Sequence, residues 1–403
     1  MVHTAMAGFV ERGDIPGIVT LVARGDEVQV DAIGMQTVGG KQPMRPDTIF
    51  RIASITKPVA AAATMILVDD GKLRPDDAVE RWLPELANRR VLRRIDSELD
   101  DTVPARRAIT VRDLLTSCLG FGSVLAMPGT YPIQRPIADG NLGGDGHPHP
   151  SRVPGTDEWM RRLGALPLMH QPGERWLYNT SCDLMGVLVG RVAGKSFSGF
   201  LDERLFGPLG MKDTGFWVPA AELGRLAGCY QVDRGSGKLE VFDETGEASD
   251  WSRAPAFESG AGGLASTAGD YYAFCRMLLD GGVAGERKGG VGRERILSEA
   301  SVEAMTRDQL TGEQRQGAEI FFGEHSSWGF GMAVNVRAQA EEPWVVPGRF
   351  GWDGGYGTSA WSDPKNDVVG ILLTQRLMDS PEPPAVFREF WAGAYGGIGA
   401  IEG

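Results

Sequence analysis

Strand-like runs stand at the two ends of this chain, and helical patterns fill its middle. Ile18–Ala23 and Val28–Ile33 are β-rich and joined by the turn Arg24-Gly25-Asp26. Gly351–Trp361 and Val368–Thr374 are their counterparts near the C-terminus, with Ser362-Asp363-Pro364 as the turn between them. An isolated two-stranded hairpin is marginal in water, because its edges stay open and it has no partner for its apolar face. The simplest closure joins both ends of the chain in one antiparallel sheet and leaves the middle as an insertion. The expected class is therefore α+β: an antiparallel sheet built from N- and C-terminal strands, flanked by helices. Residues 1–70 plus 255–403 are expected to form this sheet domain, and residues 71–254 a mostly helical inserted domain.

Within the chain, Thr156-Asp157 is expected to cap a helix running through Leu163. Cys182–Val192 reads as a helix closed by Gly194, and Phe197–Leu205 as the next. Thr267 is expected to cap Ala268–Leu279, and Pro384–Tyr395 to be the last helix. Residues 119–155, rich in Gly, Pro and His, read as a long loop, of a kind usually functional or mobile. A lid over a site and a disordered surface insertion are both open readings.

The balance of 53 acidic against 41 basic residues gives a net charge of −12, which argues against nucleic acid or an anionic membrane as partner. No apolar run approaches the roughly 18 residues of a membrane span. The N-terminal stretch lacks the basic start and long apolar core of a signal peptide, so a cytoplasmic protein is expected. Cys118, Cys182, Cys229 and Cys275 form no C-x-x-C pair and read as buried free thiols. His147-Pro148-His149 lies in the Gly/Pro-rich loop without a carboxylate ligand pattern, so no metal is expected. Oligomeric state has no signal here.

The chemistry begins at Ser54-Ile55-Thr56-Lys57, which follows the apolar run Ile49–Ala53 and opens a helical segment through Val68. Residues three apart on a helix share a face, so the lysine amine can take the serine proton without any histidine. By itself the spacing is weak, since about one S-x-x-K arises by chance in a chain of this size. It also describes a helix-capping serine beside a solvated lysine. Ser362-Asp363-Pro364-Lys365 repeats the spacing, but Pro and Asp make a turn there.

Two further stretches carry functional residue types. In Gln171–Thr180 a Pro-Gly turn is followed by Tyr178 just before a helix. A phenol is a poor base at its ordinary pKa of about 10, and a neighbouring ammonium makes the phenolate accessible. In Arg349–Ala360, glycines inside a strand let a ligand or another backbone approach closely, and a free strand edge can supply an oxyanion donor. Lys288-Gly289-Gly290 looks similar to such a box but sits in a charged glycine loop.

These three pieces, in this order, resemble the serine β-lactamase and penicillin-binding protein superfamily, above all its class C branch with the family VIII carboxylesterases and related transacylases. The likeness runs from Ile15-Pro16-Gly17 to near Gln375, and implies the β-lactamase/transpeptidase-like fold. By that resemblance Ser54 is the nucleophile, Lys57 its lysine and Tyr178 the tyrosine of the Y-x-N box. Trp352-Asp353-Gly354 stands where β-lactamases have K-T-G, and the N–H groups of Ser54 and Gly355 would form the oxyanion hole. The Y-x-N box itself reads Tyr178-Asn179-Thr180, so either Asn179 or Thr180 stands for its asparagine.

The implied function is a serine hydrolase working through an acyl-enzyme, with no cofactor. Trp352 and Asp353 replace a cationic box, so a neutral ester of a short or medium acyl group is expected as the small-molecule substrate, with Arg349 or a residue of the 119–155 loop as the candidates for a compensating cation. The alternatives are a β-lactamase, a D-Ala-D-Ala peptidase or acyltransferase acting on an ester or amide, and a penicillin sensor that acylates without turnover. The chain has no G-x-S-x-G nucleophile elbow.

Overall fold

A computed structural model describes residues 1–143, 149–285 and 294–396 of the chain. Helix α1 (Val2–Glu11) leads into strands β1 (Gly17–Arg24) and β2 (Glu27–Gly34), joined by a tight turn in which Gly25 takes φ +58°. Helices α2 (Thr56–Asp69), α3 (Val111–Leu115), α4 (Thr156–Ala165), α5 (Thr180–Ala193) and α6 (Ala268–Leu279) occupy the middle. Strands β3 (Ser326–Trp328), β4 (Ala333–Asn335), β5 (Phe350–Gly354), β6 (Thr358–Asp363) and β7 (Val368–Thr374) follow, then helix α7 (Ala385–Tyr395).

The expected closure is present. The sheet runs β3-β4-β5-β6-β7-β1-β2 with antiparallel neighbours throughout, and β1 bridges the two ends of the chain by pairing Ile18 with Thr374 and Arg24 with Val368. Both faces are covered. Cys275 of α6 reaches Ser362 on one face, and Tyr395 of α7 reaches Asp363, the next residue of β6, on the other. Helix α1 packs against α7 on that second face.

Behind α6 lies α2, buried on every side from Thr56 to Leu67. Its Ala60–Ala63 run combines the best helix former with the smallest side chain, which lets α5 pack closely on it. Among the described residues no single helix is long and apolar enough to cross a membrane; the bent pair Thr180–Ala193 and Phe197–Leu209 passes on composition, yet most of α5 is core.

Four expectations need correction. The run 351–361 is two strands, because Gly355-Tyr356-Gly357 turns back: Gly357 adopts φ +81° and its N–H donates to the Gly354 carbonyl at 2.9 Å. Ser362 and Asp363 belong to β6, and the turn lies beyond them, where Asp363 Oδ1 accepts the N–H groups of Lys365 (2.9 Å) and Asn366 (3.2 Å). Thr156 is the first residue of α4, capped by Gly155 without a side-chain bond. The helix from Phe197 ends at Leu201 and widens into a π-turn through Phe206. Thr267 caps α6 as expected, its hydroxyl accepting the Asp270 N–H at 3.1 Å. The segment Lys288–Gly290 lies outside the described residues.

The long stretch 119–155 carries a short helix, Gln134–Asp139, and a turn at Pro150–Arg152 among its described residues. The four cysteines are buried and free; burial pushes each thiol up to about 12.

Candidate active site

Ser54 sits in the one-turn 3-10 helix Ala53–Ile55 that leads into α2. Ala53 is held at φ +47°, a left-handed conformation uncommon outside glycine. The turn is clamped from both sides: Thr358 Oγ1 donates to the Ile52 carbonyl at 2.9 Å, and Tyr271 Oη to the Ile55 carbonyl at 2.7 Å. Strand β5 presses directly on it. A Cβ at Gly354 would meet the Ile52 oxygen at 2.6 Å, so only glycine fits there.

Lys57 lies one turn below Ser54 and is fully buried. Its Nζ donates to Ser54 Oγ at 2.8 Å and to the Ala261 carbonyl at 2.6 Å, and lies 4.3 Å from the centroid of the Tyr178 ring. Two hydrogen bonds and an aromatic face thus surround the Lys57 nitrogen.

Tyr178 Oη is 2.7 Å from Ser54 Oγ. It is aimed there by an unusual backbone. Asn179 has φ 86° and ψ −68°, and the Thr180 N–H donates to the Tyr178 carbonyl at 3.3 Å, the three-residue γ-turn that is rare and strained. The ring packs on Phe321 (centroids 4.9 Å apart) and Trp176 (5.7 Å). Trp352 points from β5 to the same place, its Nε1 donating to Tyr178 Oη at 3.0 Å and its ring standing edge-on to Trp328 at 4.9 Å. Ser54 Oγ thus has an amine and a phenol on it, and the phenol has an indole donor behind it.

Successive side chains of a strand face opposite ways, which separates the rest of the box. Asp353 turns from Trp352 to the α7 face, where Oδ1 accepts from Ser359 Oγ (2.5 Å) and Trp361 Nε1 (2.9 Å). Burial pushes its carboxyl above the usual range against the pull of those donors and of Arg349. Arg349 lies on that face too, sandwiched between Trp361 (4.5 Å) and Trp391 (4.1 Å). Asp353 is thus held by Ser359 and Trp361 and Arg349 by two indoles, while both still line the cavity onto which Ser54 opens. Gly355 lines the cavity beside Ser54, and so does Asn179; Thr180 is buried in the first turn of α5.

The cavity in front of Ser54 has a volume of about 700 Å³. Val124, Leu125, Val153, Trp159, Phe257, Phe321, Trp344, Val345 and Met378 are among its lining residues, so the stretch 119–155 contributes directly. Among the described residues no cluster of three His, Cys, Asp or Glu is placed to hold a metal. His149 instead stacks on Phe242 with centroids 4.5 Å apart, and His147 lies outside the described residues.

Asp183 was not singled out by the sequence. It is buried in the first turn of α5, and Oδ1 accepts from Ser259 Oγ at 2.6 Å and from the Ala261 N–H at 3.1 Å. Its only local signal is an acidic residue near a helix start, which fits any dipole-complementing side chain.

The geometry agrees with comparison to known proteins. A profile of the beta-lactamase family matches residues 2–389. Esterase EstB of Burkholderia gladioli is 30% identical over 387 residues, covering 91% of this chain and 88% of the esterase. Protein Rv1367c of Mycobacterium tuberculosis (strain ATCC 25618 / H37Rv) is 39% identical, covering 92% and 88%. The solved structure of EstCE1, a hydrolase with promiscuous acyltransferase activity, superimposes with a TM-score of 0.78 at 26% identity, over 98% of this chain and 97% of that one. Fold and site together define a serine hydrolase. The chain belongs to the beta-lactamase family.

Proposed function

We propose that this protein is a carboxylesterase acting on neutral esters through an acyl-enzyme formed on Ser54. The observation that carries the reading is the position of Ser54 Oγ, 2.8 Å from Lys57 Nζ and 2.7 Å from Tyr178 Oη. Lys57 and Tyr178 take the serine proton as Oγ attacks the ester carbonyl, and Tyr178 returns it to the leaving alcohol. The Trp352 N–H stabilises negative charge as it develops on the Tyr178 oxygen. The backbone N–H groups of Ser54 and Gly355 receive the carbonyl oxygen, and water then releases the acid. No cofactor enters this scheme.

Substrate neutrality is supported by the wall around the hydroxyl. Trp352 occupies the position of the cationic box with an indole, and aromatic and aliphatic side chains form much of the cavity wall, beside charged residues such as Arg349 and Asp353 that are engaged with other side chains. The relative EstB is named an esterase. A second reading, transfer of the acyl group to an acceptor alcohol, is supported by the size of the cavity and by the printed activity of EstCE1. The class C assignment and a cytoplasmic location belong to the same proposal.

The test is hydrolysis of p-nitrophenyl esters of graded chain length beside a chromogenic cephalosporin, with and without an acceptor alcohol. Ester turnover far above cephalosporin turnover supports the reading. Cephalosporin turnover equal to that of the best ester overturns it, and a transfer product exceeding free acid selects the second reading.

A further inference from the structure

A carboxylate that the reaction scheme does not use lies beneath the acid–base pair. Asp183 is 6% exposed, and one of its oxygens holds both Ser259 Oγ (2.6 Å) and the Ala261 N–H (3.1 Å). Residue Ala261 looks the other way through its carbonyl, which accepts Lys57 Nζ at 2.6 Å. Ser259 also starts the tight turn that carries Ala261, since its carbonyl accepts the Gly263 N–H at 2.9 Å. Contacts therefore run unbroken from the carboxylate through one residue to the lysine, and from the lysine to Ser54 Oγ at 2.8 Å. Neither Asn179 nor Thr180, the two residues at the asparagine position of the box, makes this connection in the hydrogen bonds described.

We propose that Asp183 is a positioning residue for proton transfer: it anchors the Ser259–Gly263 turn so that the Ala261 carbonyl holds Lys57 against Ser54, and it supplies the buried negative charge that faces the lysine. The inference rests on Ser54, Lys57 and Tyr178 being the reacting groups, which covalent labelling of Ser54 in the unmodified protein tests separately.

Burial pushes the Asp183 carboxyl up, while Ser259, the Ala261 N–H and the charge of Lys57 oppose that push. The other titratable groups nearby are accounted for. The Cys182 thiol is pushed up to about 12 by burial. Tyr178 presents its ring face to Lys57 at 4.3 Å. Glu258 is turned to Ser198, accepting its N–H at 2.9 Å, and Arg191 on the same helix as Asp183 is paired with Glu85 at 2.8 Å. Asp353 also lines the cavity, but its carboxylate is taken up by Ser359 and Trp361, whereas the charge of Lys57 acts on Asp183.

Asp183→Asn keeps the shape and an acceptor oxygen but removes the charge. Hydrolysis of p-nitrophenyl butyrate would be followed from about pH 5 to 9, with thermal unfolding as the control for folding. We expect kcat to fall about tenfold with KM within about twofold. We also expect the acid limb of the pH profile to move down by about one unit, because a proton leaves the Lys57–Tyr178 pair more readily without a neighbouring negative charge. Ser259→Ala, which removes an anchor and keeps the charge, should lower kcat about threefold and leave the limb in place. A folded Asp183→Asn protein with an unmoved limb overturns the proposal and leaves Asp183 a structural residue, whatever happens to kcat. If that variant does not fold, Ser259→Ala decides: an unchanged kcat overturns the proposal, and a lowered kcat with unchanged KM supports it.

Discussion

The contact between Trp352 and Tyr178 offers a quantitative test of the site. Trp352→Phe removes the Nε1–H that lies 3.0 Å from Tyr178 Oη and keeps an aromatic ring against Trp328. A hydrogen bond to a charged group contributes about 1.5–3 kcal/mol. If the Tyr178 oxygen carries charge in the transition state, losing the donor should lower kcat by about 10- to 100-fold. KM should change little, because the bond is made to the enzyme's own phenol and not to the substrate. The smaller ring also leaves space in a buried cluster, so a stability loss of about 1–3 kcal/mol is expected alongside. Measuring kcat and KM on a p-nitrophenyl ester at a temperature well below unfolding separates the two effects. The same substitution in a Tyr178→Phe background, where no oxygen remains to accept, should then cost almost nothing further. A Trp352→Phe enzyme within about threefold of wild-type kcat would refute the reasoning, and so would an equal loss in both backgrounds, since that would reduce Trp352 to packing.

A fluorophosphonate probe should add its mass to the peptide carrying Ser54, and Ser54→Ala should abolish both labelling and turnover; label on Ser359 or Ser362, both buried, would overturn the assignment. Lys57→Ala and Tyr178→Phe should each slow acylation by about 10²–10⁴-fold, and the double variant should be little worse than the poorer single one, because the two act on one proton. With an indole in place of the cation, neutral short-chain esters should exceed penicillins and cephalosporins by about two decades in kcat/KM, and Trp352→Lys should narrow that gap; equal rates in the unmodified protein would end the charge argument. The four buried thiols should resist a disulfide reagent in the native protein at about pH 8 and react fully after denaturation, as counted by released thiolate, because burial holds each near 12.

The parts of this site that were legible in the sequence are those that short-range geometry dictates. Ser54 and Lys57 lie three residues apart at the start of a helix, so backbone geometry alone brings them onto one face, and 2.8 Å between their polar atoms follows from the rotamers. The β-rich runs and turn residues of 18–33 made a hairpin, and strands at both ends left one economical closure, which β1 against β7 realises. Pro-Gly before Tyr178 marked a turn, and the order of the three motifs marked the family. What the tertiary structure decided is everything that depends on which residues meet across long separations. Trp352 and Tyr178 are 174 residues apart, and nothing near either one specifies that an indole N–H will find a phenol oxygen. The direction of Asp353 was hidden because 351–361 looked like one strand; the turn at Gly355–Gly357 splits it, and the pleat sends Trp352 to the site and Asp353 to the far face. Asp183 was invisible for the same reason: its partners, Ser259 and Ala261, are 76 and 78 residues away, and a buried carboxylate shows its purpose only when the groups that satisfy it are in place.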